Sequence, residues 1–489
     1  MIATTADRKS VVLSRLRAVP VRRLRARFDS AATTDDNRRH WANADSLSPD
    51  AAASPEVRRT LRMRCRYEVA NNSYAKGIVL TLANDTVGTG PRLQMLTGDD
   101  AANRQVEREF DRWARAVSLA EKLRTMRMAR VQDGEAFAIL ANNPVLEHPV
   151  KLDLRLVEAD QVTSPFRGLL DDNEVDGVVL DEFGNPAAYR VMAEHPGALS
   201  RRLREEYFSI PASHMIHAFR LDRPGQHRGV PEITPALPLF AQLRRFTLAV
   251  ISAAEAAADF AGILYTDAPA NGEADSVEPM DSIELERNML LTMPGGWKMS
   301  QVEPMQPATT YAEFKKEILN EIVRCICMPY NIAAGNSSGY NYASGRLDHQ
   351  TYFKCIRVEQ AFMAERVLDR ILAAWLWEYA LAVGAVDYVP AQGLERILPD
   401  HQWFWDGFEH VDPAKEATAA EKLLKAGLLT EAEYQAKRGV DWEDHQAQRQ
   451  REAEGRKRRG LPQPWDSAKG TAVTAPEAEA APVADGEEE

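Results

Sequence analysis

The sequence predicts a helix-rich α+β fold in which an antiparallel sheet is followed by long helices that a neighbouring copy covers. Three observations carry this reading. Apolar residues recur at helical spacing over 56–86, 235–264, 309–327 and 346–383. Between 135 and 219 the segments are instead short and strand-like, and turn residues separate them. The third observation is Met328–Arg346, MPYNIAAGNSSGYNYASGR, a Gly/Ser/Asn/Tyr loop between two helical segments. It is too polar for a core and too aromatic for a plain linker. Small residues with exposed tyrosines, held out on long helices, suit contact with a moving or irregular partner better than a catalytic pocket.

In chain order, 56–86 reads as a helix closed by the turn Val87-Gly-Thr-Gly-Pro91. A second helix spans Asp100–Ala116 and a third starts near Leu119. Strands follow at Glu135–Asn142, Val150–Glu158, Val175–Leu180, Ala188–Ala193 and Met215–Phe219. Asp181-Glu-Phe-Gly-Asn-Pro186 joins two of them into a hairpin. Pro235–Leu264 is an alanine-rich helix. A small mixed unit over 266–307 has strands at Met289–Thr292 and around Trp297–Val302. The helix 309–327 runs into Cys327, where Met328-Pro329 stops it because proline disfavours helical geometry in the residue before it. A helix from Arg346 to about Val383 would be roughly 57 Å long. Its apolar residues Met363, Val367, Ile371, Trp375 and Tyr379 repeat every four positions. Asp412-Pro413 opens a C-terminal helix that Gly427 ends, Thr430 with Glu433 forms a capping box, and a polar helix covers Trp442–Arg458.

At 489 residues, with 45% hydrophobic and 27% charged side chains, the chain suits a soluble globular protein of several substructures. The net charge of −12 hides a segregation. Residues 1–40 hold ten Arg/Lys against four Asp/Glu, and 461–489 hold seven acids against one lysine. Both ends read as disordered tails. No apolar segment follows the basic start, so no secretory signal is expected. The most apolar run, Phe246–Ala254, is far shorter than the roughly 20 residues a bilayer span needs, so no membrane contact is expected. Cys65, Cys325, Cys327 and Cys355 suit a reducing compartment. Cys325 and Cys327, two apart on a helix, point away from each other and read as small buried hydrophobes, not metal ligands.

Catalytic chemistry finds little support. Gly88-x-Gly90 lacks a third glycine and a strand–helix crossover, and no GxxxxGK[ST] or GxSxG sequence occurs. His214 and His217 face opposite ways in a strand-like segment. Asp160, Asp171, Asp172, Glu174 and Asp176 lack the spacing of a calcium loop and read as a solvated acidic face. Asp133-Gly-Glu135 has no partner base placed by spacing. Arg228, Arg244, Arg245, Lys315, Lys316, Arg346, Lys354 and Arg357 lie on or beside the long helices, where each reads first as a solvated charge. The basic arm 8–27 suits nucleic acid, an acidic partner or a neighbouring subunit.

The order of several motifs resembles the portal proteins of tailed bacteriophages, specifically the lambda-type family. These are Arg66-Tyr-Glu-Val-Ala-Asn-Asn-Ser-Tyr-Ala-Lys-Gly77, Gly88-x-Gly-Pro91, Asp133-Gly-Glu135, Leu156-Val-Glu-Ala-Asp160, Ile210-Pro-Ala-x-x-Met-Ile-His217, Arg223-Pro-Gly-Gln-x-Arg-Gly229, Tyr340-Asn-Tyr-Ala-Ser344 and Trp403–Pro413. The resemblance covers about 60–460. It implies a non-enzymatic ring, usually of twelve copies, at one capsid vertex within the shell of major capsid protein. Double-stranded DNA passes through its channel, driven by the terminase, and a head–tail adaptor docks later. The implied location is the virion, with assembly in the host cytoplasm; no cofactor, metal or catalytic residue is implied.

The resemblance further implies a basic arm over 1–55, a wing over 56–234, stem helices at 235–264 and 308–330, and a clip at 265–307 between them. A tunnel loop at 331–345, a long helix at 346–384, a crown at 385–458 and an acidic tail at 459–489 complete it. By that pattern Asn336, Ser337, Ser338, Tyr340, Asn341 and Tyr342 face DNA, Gly335, Gly339 and Gly345 give the loop freedom, and Lys315, Lys316 and Arg346 line the channel. An acidic protein with an uncharged loop fits a conduit, because each neutralised phosphate would add salt-sensitive grip. The alternatives are a metal-dependent nucleic-acid-processing enzyme using the acids and histidines of 133–227, and another ring-forming head–tail adaptor.

Overall fold

A computed structural model describes residues 31–165, 173–199, 206–259, 263–266, 297–300, 308–383, 398–407 and 413–462. Helices α1 (Pro49–Ala52), α2 (Pro55–Asn71) and α3 (Ser73–Val87) open it. The single helix expected over 56–86 is two, because Asn72 is extended and caps α3, its Oδ1 accepting from the amides of Tyr74 and Ala75. Strand β1 (Arg92–Met95) and helices α4 (Asp100–Ala116) and α5 (Leu119–Asp133) follow.

The strands come next: β2 (Glu135–Asn142), β3 (Leu152–Val157), β4 (Glu174–Val175), β5 (Val178–Leu180), β6 (Pro186–Met192), β7 (Tyr207–Pro211) and β8 (Met215–Phe219). They form two antiparallel sheets, ordered β3-β2-β8 and β4-β5-β6-β7. The expected hairpin is β5–β6, but Val175–Leu180 divides at the Asp176-Gly177 turn, where both residues have positive φ. Gly134, at φ +91, lets α5 turn directly into β2, and a Cβ there would lie 2.5 Å from the Val230 carbonyl carbon.

Helix α6 (Leu237–Asp259) and α7 (Ala308–Arg324) flank the paired strands β9 (Ile263–Thr266) and β10 (Trp297–Ser300). The strand expected at 289–292 lies outside the described residues. Helix α7 ends three residues before Cys327, which takes φ +57 and is exposed. The two cysteines therefore do not share a helix, and of the four only Cys65 is buried.

The loop expected over 331–345 is shorter. It loses residues at one end to α8 (Tyr330–Ala334) and at the other to α9 (Tyr342–Met363). A π-helical turn at Ala364–Leu368 joins α9 to α10 (Asp369–Val383), so the expected long helix is present but starts four residues earlier. Strand β11 (His401–Phe404) and helices α11 (Pro413–Lys425), α12 (Glu431–Lys437) and α13 (Trp442–Arg458) complete the chain. The Thr430/Glu433 capping box forms as its spacing predicts.

One core joins α4, α5, the β3-β2-β8 sheet and α10, with Phe110, Trp113 and Trp375 at its centre. A second joins α2, α3, α6, α7, α8 and α9. Arg370, just past the π turn, donates to the carbonyls of Met215 and Ala212 and fastens the long helix to the sheet. Strand β11, which the sequence did not reveal, pairs with β1 more than 300 residues earlier in the chain. Asp369 Oδ1 holds it there, 3.2 Å from His401 Nε2 and accepting from Trp403 Nε1 at 2.8 Å.

The hydrogen bond to Asp369 raises the His401 pKa, outweighing partial burial. A pKa raised by folding adds stability that is complete below the unfolded value of about 6.5 and is lost as pH climbs through the folded value. After division by the intrinsic base-catalysed exchange rate, protection of the β11 amides should therefore fall as pH rises from about 6.5, and His401→Asn should flatten that fall. Hydrogen exchange read at several pH values checks this.

Candidate nucleic-acid interface

The residues from Gly335 to Asn341 form a turn clamped at both ends. Gly335, at φ +61, ends α8, and the Asn336 amide donates to the Asn331 carbonyl at 3.0 Å. At the other end Asn341 caps α9 in a capping box with Ser344, its Oδ1 accepting from the Ser344 amide at 2.9 Å. Within the turn, the Ser338 amide donates to Asn336 Oδ1 and the Tyr340 amide to the Ser337 carbonyl. Below it, Asn331 Nδ2 donates to His349 Nε2 at 2.9 Å and ties α8 to α9.

The surface this leaves open is Gly335, Asn336, Ser337, Ser338, Gly339 and Asn341. Tyr340 is half-buried, its hydroxyl against the Asn331 backbone. Tyr342 begins α9, and Gly345 lies within the first turn of α9, so neither belongs to the turn. Gly335 has the left-handed conformation that glycine favours, and Gly339 is open on all sides but for Lys316 Nζ, 3.9 Å from where its Cβ would sit.

The three basic residues differ in placement. Lys315 turns inward, its Nζ 5.0 Å from the Tyr74 ring centroid and 5.6 Å from that of Tyr311. Lys316 is exposed next to the turn, 5.8 Å from the Tyr330 ring centroid. Arg346 is exposed on the second turn of α9. The turn therefore presents short neutral polar groups with one flexible cation behind them.

The residues weighed for catalysis form a different assembly. Arg228, expected as a solvated charge, is buried. Its Nη2 donates to Glu135 Oε1 at 2.6 Å, its Nε to Glu135 Oε2 at 2.9 Å, and its Nη1 to Asp176. Glu135 also meets His217 Nε2 at 3.1 Å and accepts from the Gly229 amide. Asp160 and Asp176 are likewise no solvated face. Arg58 pairs with Asp176, Arg62 with Asp160 at 2.9 Å, and Arg66 with Asp133 at 2.6 Å and Asp160 at 2.8 Å.

Burial alone would raise the Glu135 and Asp176 pKa values. The Arg228 charge instead holds Glu135 well below the carboxylate range, and Arg228 with Arg58 lowers Asp176. Burial lowers the pKa of His217. His214 is exposed, away from this cluster. Four guanidinium groups thus answer these four carboxylates, an arrangement that fixes helix against sheet.

Glu158, Asp160 and His195 also converge, with His195 Nε2 3.3 Å from Glu158 and 3.8 Å from Asp160. The Gly197 amide donates to His195 Nδ1, which leaves the ring proton on Nε2, and Arg66 already spans both carboxylates. The two carboxylates are answered by Arg66 and by the Nε2–H of His195, with no imidazole lone pair turned to a metal. The signal that the sequence held for this network was Arg58, Arg62 and Arg66, spaced four apart and so stacked on one face of α2.

Similarity to known proteins runs over most of the chain. A probable portal protein of Halomonas phage phiHAP-1 is 26% identical over 437 residues, covering 84% of this chain and 83% of that protein. Portal protein B of Escherichia phage lambda is 23% identical over 482 residues, covering 88% and 90%. Among solved structures, a chain from the neck of an empty GTA particle computed with C6 symmetry aligns with a TM-score of 0.45 and 16% identity, over 81% of this chain and 99% of that one. Residues 35–360 match the phage portal protein, lambda family, which is more than half of the 489 residues, and the chain belongs to that family.

Proposed function

We propose that the chain closes a ring at a capsid vertex and that double-stranded DNA passes through it during packaging and ejection, with terminase and later a head–tail adaptor docking on the ring. Family membership supports the role. The observation that carries the mechanism is the turn at 335–341, exposed, free of charge and clamped by caps at both ends. Such a surface touches a passing duplex through small polar groups without neutralising its phosphates, so it guides without gripping. Asn336, Ser337, Ser338 and Asn341 are the DNA-facing residues in this reading, with Lys316 as a retractable cation behind them. Helices α6 and α7 are then the stem, the segment between them the clip, α9 and α10 the long helix, β11 with α11–α13 the crown, and α2 to β8 the wing.

A variant lacking Ser337–Gly339 tests the turn while keeping the Gly335 and Asn341 caps, whose loss would itself cost about 1 kcal/mol. Wild type and variant should both give a native mass near 655 kDa, twelve times 54.6 kDa, if the ring holds twelve copies. The variant ring should package less DNA in an ATP-driven assay with terminase and empty shells. Normal packaging by the shortened ring would remove the turn from the mechanism.

A further inference from the structure

Two helices carry exposed charged side chains of opposite sign that have no ion-pair partner among the described residues, although α7 also bears Lys315, Lys316 and Arg324. On α7, Glu313, Glu317 and Glu321 recur every four residues and are exposed. Beside them runs a trough of about 340 Å³, with Phe314, Ile318 and Asn320 along it, Glu317 and Glu321 at its edge, and the exposed Arg324 closing its C-terminal end. On α9, Arg346, Lys354 and Arg357 are exposed on one face with Leu347, 64% exposed, and Val358, 63% exposed. No acid interrupts that face: Asp348 is half-buried, and Glu359 is held by Arg127 and Arg130.

None of these six exposed charges has an ion-pair partner among the described residues. The stripes match in length, about 12 Å on α7 and about 17 Å on α9 at the helical rise per residue. Among the described residues no ion pair joins the two stripes within the chain. Cys355 of α9 lies against Cys327, three residues past the end of α7, and the basic stripe starts at least a quarter-turn around the helix from Cys355.

We propose that the α7 acidic stripe of one copy seats against the α9 basic stripe of the next, with Phe314, Leu347 and Val358 packed inside the ion pairs. The contact is heterologous, because different surfaces of the two copies meet, and repeated rotation closes it into a ring. The inference rests on the ring reading above and says which faces make the ring. A basic stripe also suits DNA, but two large exposed apolar side chains on the same face, and an unanswered acidic stripe of similar length, favour a second copy.

The test uses two full-length variants, Glu317→Arg/Glu321→Arg and Lys354→Glu/Arg357→Glu, with native mass and negative-stain images at one subunit concentration. Each alone places like charges at every contact and should lower the ring fraction about tenfold or more. All these positions are exposed, so circular dichroism and the thermal midpoint of the dissociated subunits should stay as in wild type. Mixing the two variants pairs opposite charges again at every contact, and rings with an even number of alternating subunits should return.

Rings from either variant alone, or no rescue on mixing, would overturn the seat while leaving the ring reading standing. Rings that persist with weaker, less salt-dependent DNA binding in Lys354→Glu/Arg357→Glu would assign that face to DNA and overturn the seat. A wild type that forms no ring under any condition would overturn both.

Discussion

Replacing Arg228 with methionine is expected to cost about 3–5 kcal/mol and to loosen the whole sheet region. The side chain is buried, so its removal leaves Glu135 without its main counter-charge and Asp176 with Arg58 alone. Methionine fills much of the volume, so the loss reads the charge and not a cavity. Urea unfolding should show a lower midpoint. The double variant Arg228→Met/Glu135→Gln should recover part of the loss, because the desolvated carboxylate is then gone and the His217 and Gly229 donors still have an oxygen to meet. If the single and double variants were equally unstable, Arg228 would be acting through packing alone.

The second large effect is expected at Trp375. It is fully buried against Phe110, Trp113 and Tyr379, where α10 meets α4 and the β3-β2-β8 sheet. Trp375→Ala should cost about 3–5 kcal/mol, the transfer energy of the indole plus the cavity left behind. Trp375→Phe should lose much less. Its ring keeps most of the contacts, and the Trp375 Nε1 that disappears is a buried donor with no acceptor among the described residues. Comparing the thermal midpoints of the two variants separates lost volume from lost hydrogen bonding.

How far the sequence disclosed this molecule depends on how local each feature is. β8 matches its expected limits, and the Thr430/Glu433 box and the β5–β6 hairpin lie where turn and capping chemistry put them. Asn72 also announces itself, since a good cap inside a helical pattern is as much a restart as an interior residue. Strand β11 was not legible, because its pairing with β1 is settled between segments far apart in sequence. The same holds for Arg228: on a loop, nothing local distinguishes a solvated guanidinium from one enclosed by Glu135 and Asp176.

The candidate interface was half legible. Its composition marked the place, but its length did not follow, because Pro329 caps the short helix α8 and Asn341 starts α9 through Ser344. The exposed turn is therefore about half as long as glycine and serine content suggested.

The π turn at Ala364–Leu368 has a geometric consequence for the long helix. Side chains spaced four apart advance about 40° past a full turn at each step, so Met363 to Tyr379 would spiral through about 160° of an ordinary helix. Part of such a stripe would turn towards water, yet Met363, Val367, Ile371, Trp375 and Tyr379 are all at most 3% exposed. The wider turn takes up one extra residue, about 100° of phase, and cuts the spiral to about 60°. One residue of slack keeps the stripe from Met363 to Tyr379 turned towards one interior.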